Sequence, residues 1–549
     1  MVLVLMAAPW GALAATAEAE PAGTAAACKA WEKNDLLELR DAPTQLTAAH
    51  VVDASDGMPS YCQVEGYVAP QVGFEVLLPV ANWNGKMMVV GEGGWAGSFN
   101  ELACQNPLRR GYACVTTDTG HKGKGDDGLW AANNLSTQID FAFRAIHVVT
   151  LAGRAIVGGY YGNDLKKVYF QSCSTGGYEG LVEAQRFPWD FDGIIAGAPD
   201  MDEADLTMRM VWAERAFYDG AGHPVLDAAA LELLHQLALG ECDAADGLKD
   251  GLISDPMGCR VDPAKVLCNA NQTSGCLSVT QVGAAQRIYN GPPHSAGRDV
   301  RGALPGSELV WTSKWGGLAS EGIDRYSDNF FKNMVYGASQ NWTGATYDFD
   351  HDYTRLGLAV YTDTNPDLRH FKAAGGKLLV YQGGADVLEK PGAIVDYYQT
   401  VERVIGTRQA TQDFFRLFMV PGMNHCSGGQ GAYAIDYLSY LEAWVERHEA
   451  PDQMIGAHVN DAYLAAQPLP ASIESTLPPD ATSELRTLVA ESVLRYPLDP
   501  SIPLDFTRPM YPYPLYGRYA GGDPNQASSF KPAGAGANAS KTIHDRSAP

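Results

Sequence analysis

Two kinds of apolar pattern alternate along this chain. Short, nearly continuous apolar runs end in glycine or polar residues, and between them lie longer segments with apolar positions every three to four residues. "YCQVEGYVAPQVGFEVLLPV" (61–80) alternates apolar and polar and predicts antiparallel strands. "GKMMVVGEGGWAG" (85–97) predicts a buried strand running into a glycine turn, and "GYACVTTDTGH" (111–121) a second with a polar end. "TQIDFAFRAIHVVTLAGRAIVGGYYG" (137–162) has helical spacing and closes on glycine. "KKVYFQSCSTGGYEGLVEAQRF" (166–187) reads as strand, sharp turn and helix, and "FDGIIAGAP" (191–199) as a short buried strand. Strand, loop and helix recur in "GKLLVYQGGADVLEKPGAIVDYYQTV" (376–401). "DFFRLFMVPGMNHCSGG" (413–429) is a strand ending in a loop, and "GAYAIDYLSYLEAWVER" (431–447) an amphipathic helix. Strands alternating with helices, with polar residues at the strand C-termini, predict an α/β protein with a doubly wound, mostly parallel sheet.

The rhythm breaks between 201 and 350, where Gly, Asp and four cysteines gather among several Trp and Phe. This segment reads as an inserted domain that splits the core into 21–200 and 351–530. The end, roughly 500–549, is rich in Pro, Gly, Ser and Tyr, and residues 531–549 read as a disordered tail. Residues 1–20 read as a signal peptide, with an apolar run and an A-x-A pattern at Ala12 and Ala14, although no Lys or Arg precedes the run. No later apolar stretch is expected to cross a membrane.

Composition narrows the function. The formal net charge is −24, the opposite of a nucleic-acid footprint and of a surface that docks on anionic lipid. Ten cysteines contain no CxxC, which leaves no thioredoxin-like or zinc pattern. An even number in an exported chain points to five disulfides and to a secreted or periplasmic location. Neighbours in sequence favour Cys28–Cys62, Cys104–Cys114, Cys242–Cys259 and Cys268–Cys276, leaving Cys173 and Cys426 for each other. Ten cysteines allow many other pairings.

Candidate chemistry gathers at strand ends. Ser174 stands on the turn between "KKVYFQ" and "GGYEGLVEAQ". A serine there projects its hydroxyl above the sheet, and the helix N-terminus behind it can meet a developing oxyanion. The usual pattern is GxSxG; here Ser172 takes the first glycine position. The hydroxyl needs a base, and the base needs an orienting acid. His425 follows the strand "FFRLFMV" and Asp386 follows "KLLVYQGG", so the chain order is Ser, acid, His, as in α/β-hydrolases. A Cys173–Cys426 bridge would carry Ser174 and His425 together, since a disulfide holds Cα atoms about 4.4–6.8 Å apart. Two backbone N–H groups should form an oxyanion hole: that of Thr175, and one at Gly93 or Gly94 in the turn after "MMVV".

"SCSTGGYEGL" with "MNHCSGG", together with "WNGKMMVVGEGGWAG", "TTDTGH", "FDGIIAGAP" and the tail "RPMYPYPLYGRYAGGDPNQASSF", resembles the tannase and feruloyl esterase family over most of the chain. The resemblance implies an α/β-hydrolase core with an inserted lid, and an exported serine esterase of feruloyl, galloyl or terephthalate-type esters. Two positions depart from the family pattern. One is Ser172. The other is in the tail, where Tyr511 and Pro532 stand in place of a further cysteine pair.

Asp243, Asp246 and Asp250 crowd into "CDAADGLKDGLISDP", with Gly247 and Gly251 between them. Three carboxylates so close repel one another unless a cation intervenes, and hard oxygen donors suit Ca²⁺. The spacing is not that of an EF-hand. The resemblance implies a structural Ca²⁺ site at this loop, completed by the Leu248 and Leu252 carbonyls and braced by Cys242–Cys259. The expected partner is a small aromatic ester, with the chain a monomer or homodimer. The rival reading is a non-catalytic, Ca²⁺-dependent binding protein on a hydrolase scaffold.

Overall fold

A computed structural model describes residues 25–55, 57–292, 302–313, 317–318, 323–337, 342–349, 352, 361–362, 364–389, 391–468 and 499–534. The expected leader and the last part of the expected tail, 535–549, lie outside the described residues.

Nine strands form one sheet: β1 Thr44–Val52, β2 Tyr61–Val68, β3 Val72–Pro79, β4 Lys86–Val90, β5 Ala113–Thr117, β6 Lys167–Cys173, β7 Gly193–Gly197, β8 Lys377–Gly383 and β9 Phe415–Val420. Their order is β1-β2-β3-β5-β4-β6-β7-β8-β9. From β5 to β9 every pairing is parallel, while β1, β2 and β3 join antiparallel on one side. The burial patterns follow from this. Central β5 and β7 are buried at every position, as parallel strands covered on both faces must be. Edge strand β1 alternates buried and exposed positions through most of its length.

Alternate residues of each central strand supply two separate cores. Phe170, Ile194, Leu378 and Val380 pack with Ile156 and Val149 of the helical run Leu135–Tyr161 and with Tyr398 of helix Pro391–Ile405. Tyr169, Ile195, Leu379 and Tyr381 pack on the other face with Leu438, Leu441 and Trp444 of helix Tyr437–Arg447. The run Leu135–Tyr161 is, by length and composition, apolar enough to cross a bilayer, which the sequence pattern did not anticipate. Most of its apolar window is buried inside the protein, so its apolar character is that of a core helix.

Strand order reverses at β4, with β5 on one side and β6 on the other. In an open α/β sheet, the crevice beyond the C-terminal ends of two such strands is where ligands bind. The segment between β7 and β8 is the long excursion. It holds helices Glu203–Phe217, Ala228–Cys242 and Val279–Asn290 around a core of its own that includes Phe217, Leu234, Ile288 and Trp311. Trp311, Phe330 and Phe331 are fully buried, so they are core side chains of this excursion rather than exposed stacking faces.

Four disulfides pair as proximity along the chain favoured, and Cys173–Cys426 is the pair that this leaves. The tail needs one correction. Phe530–Gly534 is strand β13, paired antiparallel with β12 Leu515–Tyr519, so order continues past residue 531. Pro532 sits opposite Gly517 in this ribbon. A second ribbon joins β10 Met454–Val459 to β11 Leu504–Met510. Beyond it, Tyr513 N–H donates to Leu417 O at 2.8 Å and Phe418 bridges Pro512, which covers the open edge of β9. Backbone pairing thus secures the tail around Tyr511 and Pro532.

Candidate active site

Ser174 is the residue between β6 and helix Thr175–Arg186, with φ 65° and ψ −129°. A non-glycine residue rarely adopts that conformation, and such strain persists only where the surroundings enforce it. Here Ser174 N–H donates to Gly197 O at 3.0 Å, and Tyr178 N–H donates back to Ser174 O at 3.0 Å. Glycine at 176 explains how Ser172 is tolerated in the usual glycine position. A Cβ on Gly176 would stand 2.0 Å from Ser172 Oγ, so Ser172 fills space that the later glycine leaves free.

The loop after β9 brings His425 over this turn. Its Nε2 lies 2.9 Å from Ser174 Oγ and its Nδ1 lies 3.0 Å from Asp386 Oδ2. A carboxylate only accepts, so Nδ1 carries the hydrogen and Nε2 is left to accept from the serine hydroxyl. Asp386 is fully buried and itself held at both oxygens. Oδ2 also accepts from Gln382 Nε2 at 2.9 Å, while Oδ1 accepts from the Leu388 and Glu389 amides at 3.0 and 2.9 Å. Buried Arg209, from the long excursion, donates to Val387 O at 2.6 Å and ties that excursion to the acid's loop. Cys173–Cys426, with Cα atoms 5.9 Å apart, joins the residue before the serine to the residue after the histidine.

Thr175 opens the helix, so its amide is one of the first-turn donors without an intrahelical acceptor. The Gly93–Gly94 turn follows β4, and Gly176 N–H donates to Glu92 O at 2.8 Å, fixing turn and helix side by side. The structure therefore brings Ser174, His425 and Asp386 into one hydrogen-bonded line and sets Thr175, Gly93 and Gly94 beside it. Pattern reading overlooked Gln382, the polar residue that nearly closes the apolar strand "KLLVYQ", and Glu179, a carboxyl among the small and apolar residues of "TGGYEGLVEA".

Glu92 and Glu179 are both buried behind the turn. Burial pushes Glu179 up to about 8. Burial, then the charges of Glu179 and Asp118, push Glu92 well above the usual carboxyl range. An acid with a raised folded-state value keeps its proton in the native protein after the unfolded chain has lost it. Its stabilising contribution is full below 4.5 and disappears as pH rises through the folded value. The melting temperature is therefore expected to decline between about pH 4.5 and pH 8, and Glu179→Gln to flatten the decline. Thermal unfolding against pH at constant ionic strength checks this; a flat wild-type profile would contradict it.

The acidic loop of the excursion is ordered by its own carboxylates. Asp243 accepts from the Asp250 and Gly251 amides at 3.2 and 3.3 Å, and Asp246 accepts from Leu248 N–H at 2.9 Å and Ser254 Oγ at 2.6 Å. Arg508 Nη2 donates to Asp250 Oδ2 at 2.6 Å. Burial pushes the Asp246 carboxyl up, and the charges of Asp250 and Asp243 add to this. Three carboxylates facing one guanidinium leave negative charge in a partly buried loop, and an oxygen-only donor set fits a hard cation. A second cluster, His147, Glu183 and Asp190, has its Glu183 on helix Thr175–Arg186. His147 Nδ1 is 2.5 Å from Asp190 Oδ2, a direct hydrogen bond. Two ligands of one tetrahedral ion would stand about 3.4 Å apart, given metal–ligand bonds of about 2.1 Å. The His147–Asp190 pair is therefore closed by its own hydrogen bond.

The model of the tannase and feruloyl esterase family matches residues 54–533. The chain belongs to this family. It is a carboxylic-ester hydrolase, which sets the binding-protein reading aside. The mono(2-hydroxyethyl) terephthalate hydrolase of Piscinibacter sakaiensis is 30% identical over 566 residues, covering 88% of this chain and 86% of that protein. A probable feruloyl esterase of Arthroderma benhamiae is 30% identical, covering 84% of this chain and 83% of its own. In fold, the chain matches feruloyl esterase B from Aspergillus oryzae with a TM-score of 0.75 at 24% identity, over 89% of this chain and 97% of that one.

Proposed function

We propose that this family member is an exported serine esterase of aromatic and phenolic acid esters, working through an acyl-enzyme. The observation that carries the reading is the line from Ser174 Oγ through His425 to buried Asp386, at 2.9 and 3.0 Å. Ser174 attacks the ester carbonyl while His425 Nε2 takes its proton. Asp386 keeps the histidine in the Nδ1–H form and stabilises the imidazolium. The amides of Thr175 and of Gly93 or Gly94 receive the oxyanion, helped by the positive end of helix Thr175–Arg186. His425 then protonates the leaving alcohol and activates the water that frees the acid. The names of the relatives support an aromatic acyl group, because feruloyl and terephthalate esters both carry one. The excursion between β7 and β8 is the lid in this reading. Five disulfides support a secreted or periplasmic location. Hydrolysis of methyl ferulate, methyl gallate and mono(2-hydroxyethyl) terephthalate, measured side by side, selects the acyl class. Failure on all three and on a simple aryl acetate would remove the reading.

The acidic loop supports a structural Ca²⁺ site held by Asp243, Asp246 and Asp250 with the Leu248 and Leu252 carbonyls. The ion would supply positive charge to the loop braced by Cys242–Cys259. Chelation is expected to lower the melting temperature, and returning Ca²⁺ at a hundredfold excess over its dissociation constant to restore about 2.7 kcal/mol. Calorimetry with and without the ion tests this. Equal melting, with no heat of Ca²⁺ binding, would discard the site.

A further inference from the structure

We infer that Glu179 is a positioning residue for ester hydrolysis: its carboxyl clamps the glycine turn after β4 onto the nucleophile helix and so sets the spacing of the two oxyanion donors. This rests on the serine-esterase reading above.

The clamp has two jaws, both on the segment that follows Ser174. Glu179 Oε2 accepts from Glu92 N–H at 3.1 Å, and Gly176 N–H donates to Glu92 O at 2.8 Å. The peptide groups on either side of Glu92 are thereby fixed to one helix, and Gly93 is the next residue. The far side of the turn is held by Ala96 N–H on Gly93 O at 3.3 Å and Trp95 N–H on Gly125 O at 2.8 Å, while no side-chain packing confines Gly93 itself. It is exposed, and a Cβ built on it would find nothing within 4 Å. Its neighbour Gly91 is shaped around the clamp, since a Cβ there would stand 2.0 Å from Glu179 Oε2. Asn100 Nδ2 holds Gly91 O at 2.9 Å from outside.

Without the carboxyl, Glu92 keeps the bond at its carbonyl, and the peptide before it is held only from outside the helix, by Asn100 on Gly91 O. Its buried amide is also left without an acceptor, which is costly. An oxyanion donor works only if it is already in place when charge develops. A turn held less firmly against the helix therefore weakens transition-state binding and leaves ground-state binding almost unchanged. A residue acting this way should show itself in kcat and in the affinity of a tetrahedral adduct, but not in KM.

Three variants test it in the full chain with disulfides intact. Glu179→Met keeps the length and removes the acceptor; Glu179→Gln keeps an acceptor oxygen. Gly91→Ala retains the carboxyl but displaces it, and serves if the methionine variant does not fold. Methionine is expected to lower kcat by about 10–100-fold, less than outright loss of a donor, with KM within about twofold. Phenylboronic acid, which mimics the tetrahedral adduct, should lose affinity by the same factor, while the product acid binds as before. Glutamine should restore kcat to within about threefold. A methionine variant with wild-type kcat overturns the inference. So does one whose kcat, KM and melting temperature all deteriorate together without rescue by glutamine. If the wild type hydrolyses no ester and Ser174 resists labelling by an aryl phosphonate, the esterase reading itself fails. An active wild type with unaffected variants removes the clamp alone.

Discussion

Ser174→Ala is expected to lower kcat toward an aromatic ester by a factor on the order of 10⁵–10⁶, the scale seen when the nucleophile of a serine hydrolase is removed. The geometry argues for the full effect. His425 Nε2 has Ser174 Oγ as its partner at 2.9 Å, so removing that oxygen leaves the base with nothing to activate on the side away from Asp386. Fold and melting temperature should hardly change, because the hydroxyl supports no strand or helix. Its backbone is held by Gly197 and Tyr178 through main-chain atoms that alanine keeps. Alanine must also adopt φ 65°, as serine does now, so the strain is not newly introduced. Steady-state kinetics and calorimetry on the same preparation decide the matter. A folded variant that retained more than a few per cent of activity would show that another group attacks the ester.

Replacing Cys173 and Cys426 together by serine is expected to have the second-largest effect, on stability and on turnover. The bridge closes a loop of 253 residues, for which chain entropy alone gives about 5 kcal/mol as an upper estimate, and native disulfides typically contribute about 2–5 kcal/mol. Its local consequence is sharper. The two cysteines are the immediate neighbours of Ser174 and His425, whose side chains otherwise meet only through one hydrogen bond between two loops. Cys426 sits at φ 65° in the histidine loop, where Ser427 N–H donates to His425 O at 2.8 Å across it. Without the bridge, His425 samples positions beyond proton-transfer reach, and kcat falls well below the melting transition. Measured at a temperature where both proteins are folded, a variant with lowered melting temperature but unchanged kcat would show that the bridge only stabilises. The single Cys173→Ser variant is a poorer probe, because it leaves Cys426 free to mispair.

Much of this was legible in the sequence because it is local. "KLLVYQ", "FDGIIAGAP" and "KMMVV" are too apolar and too short for anything but buried strands, and the glycines around Ser174 can only be a tight turn. The chain order of Ser174, Asp386 and His425, each after a strand, placed all three at one edge of whatever sheet those strands build. The even, closely spaced cysteines constrained their pairing. Other features were hidden because they depend on partners distant along the chain. An apolar helix such as Leu135–Tyr161 looks the same in sequence whether lipid or protein covers it. The ordering of Phe530–Gly534 comes from a partner strand, since "FKPAG" has no strong strand pattern of its own.

The sequence by itself determined the alternation of strand and helix, the turn at Ser174, the chain order of Ser174, Asp386 and His425, and the expected bridges. These follow from side-chain period, turn chemistry and residue type, which act over a few neighbouring positions. Only the tertiary structure decided the strand order that puts β4 beside β6, and with it the meeting of the Gly93–Gly94 turn with the Ser174 helix. It alone placed Gln382 on Asp386, Arg508 on Asp250 and Glu179 on the Glu92 amide. Such contacts join segments far apart in the chain, or depend on the turn between them. Hydrogen bonds act over about 3 Å, so they exist only after packing has brought the segments together.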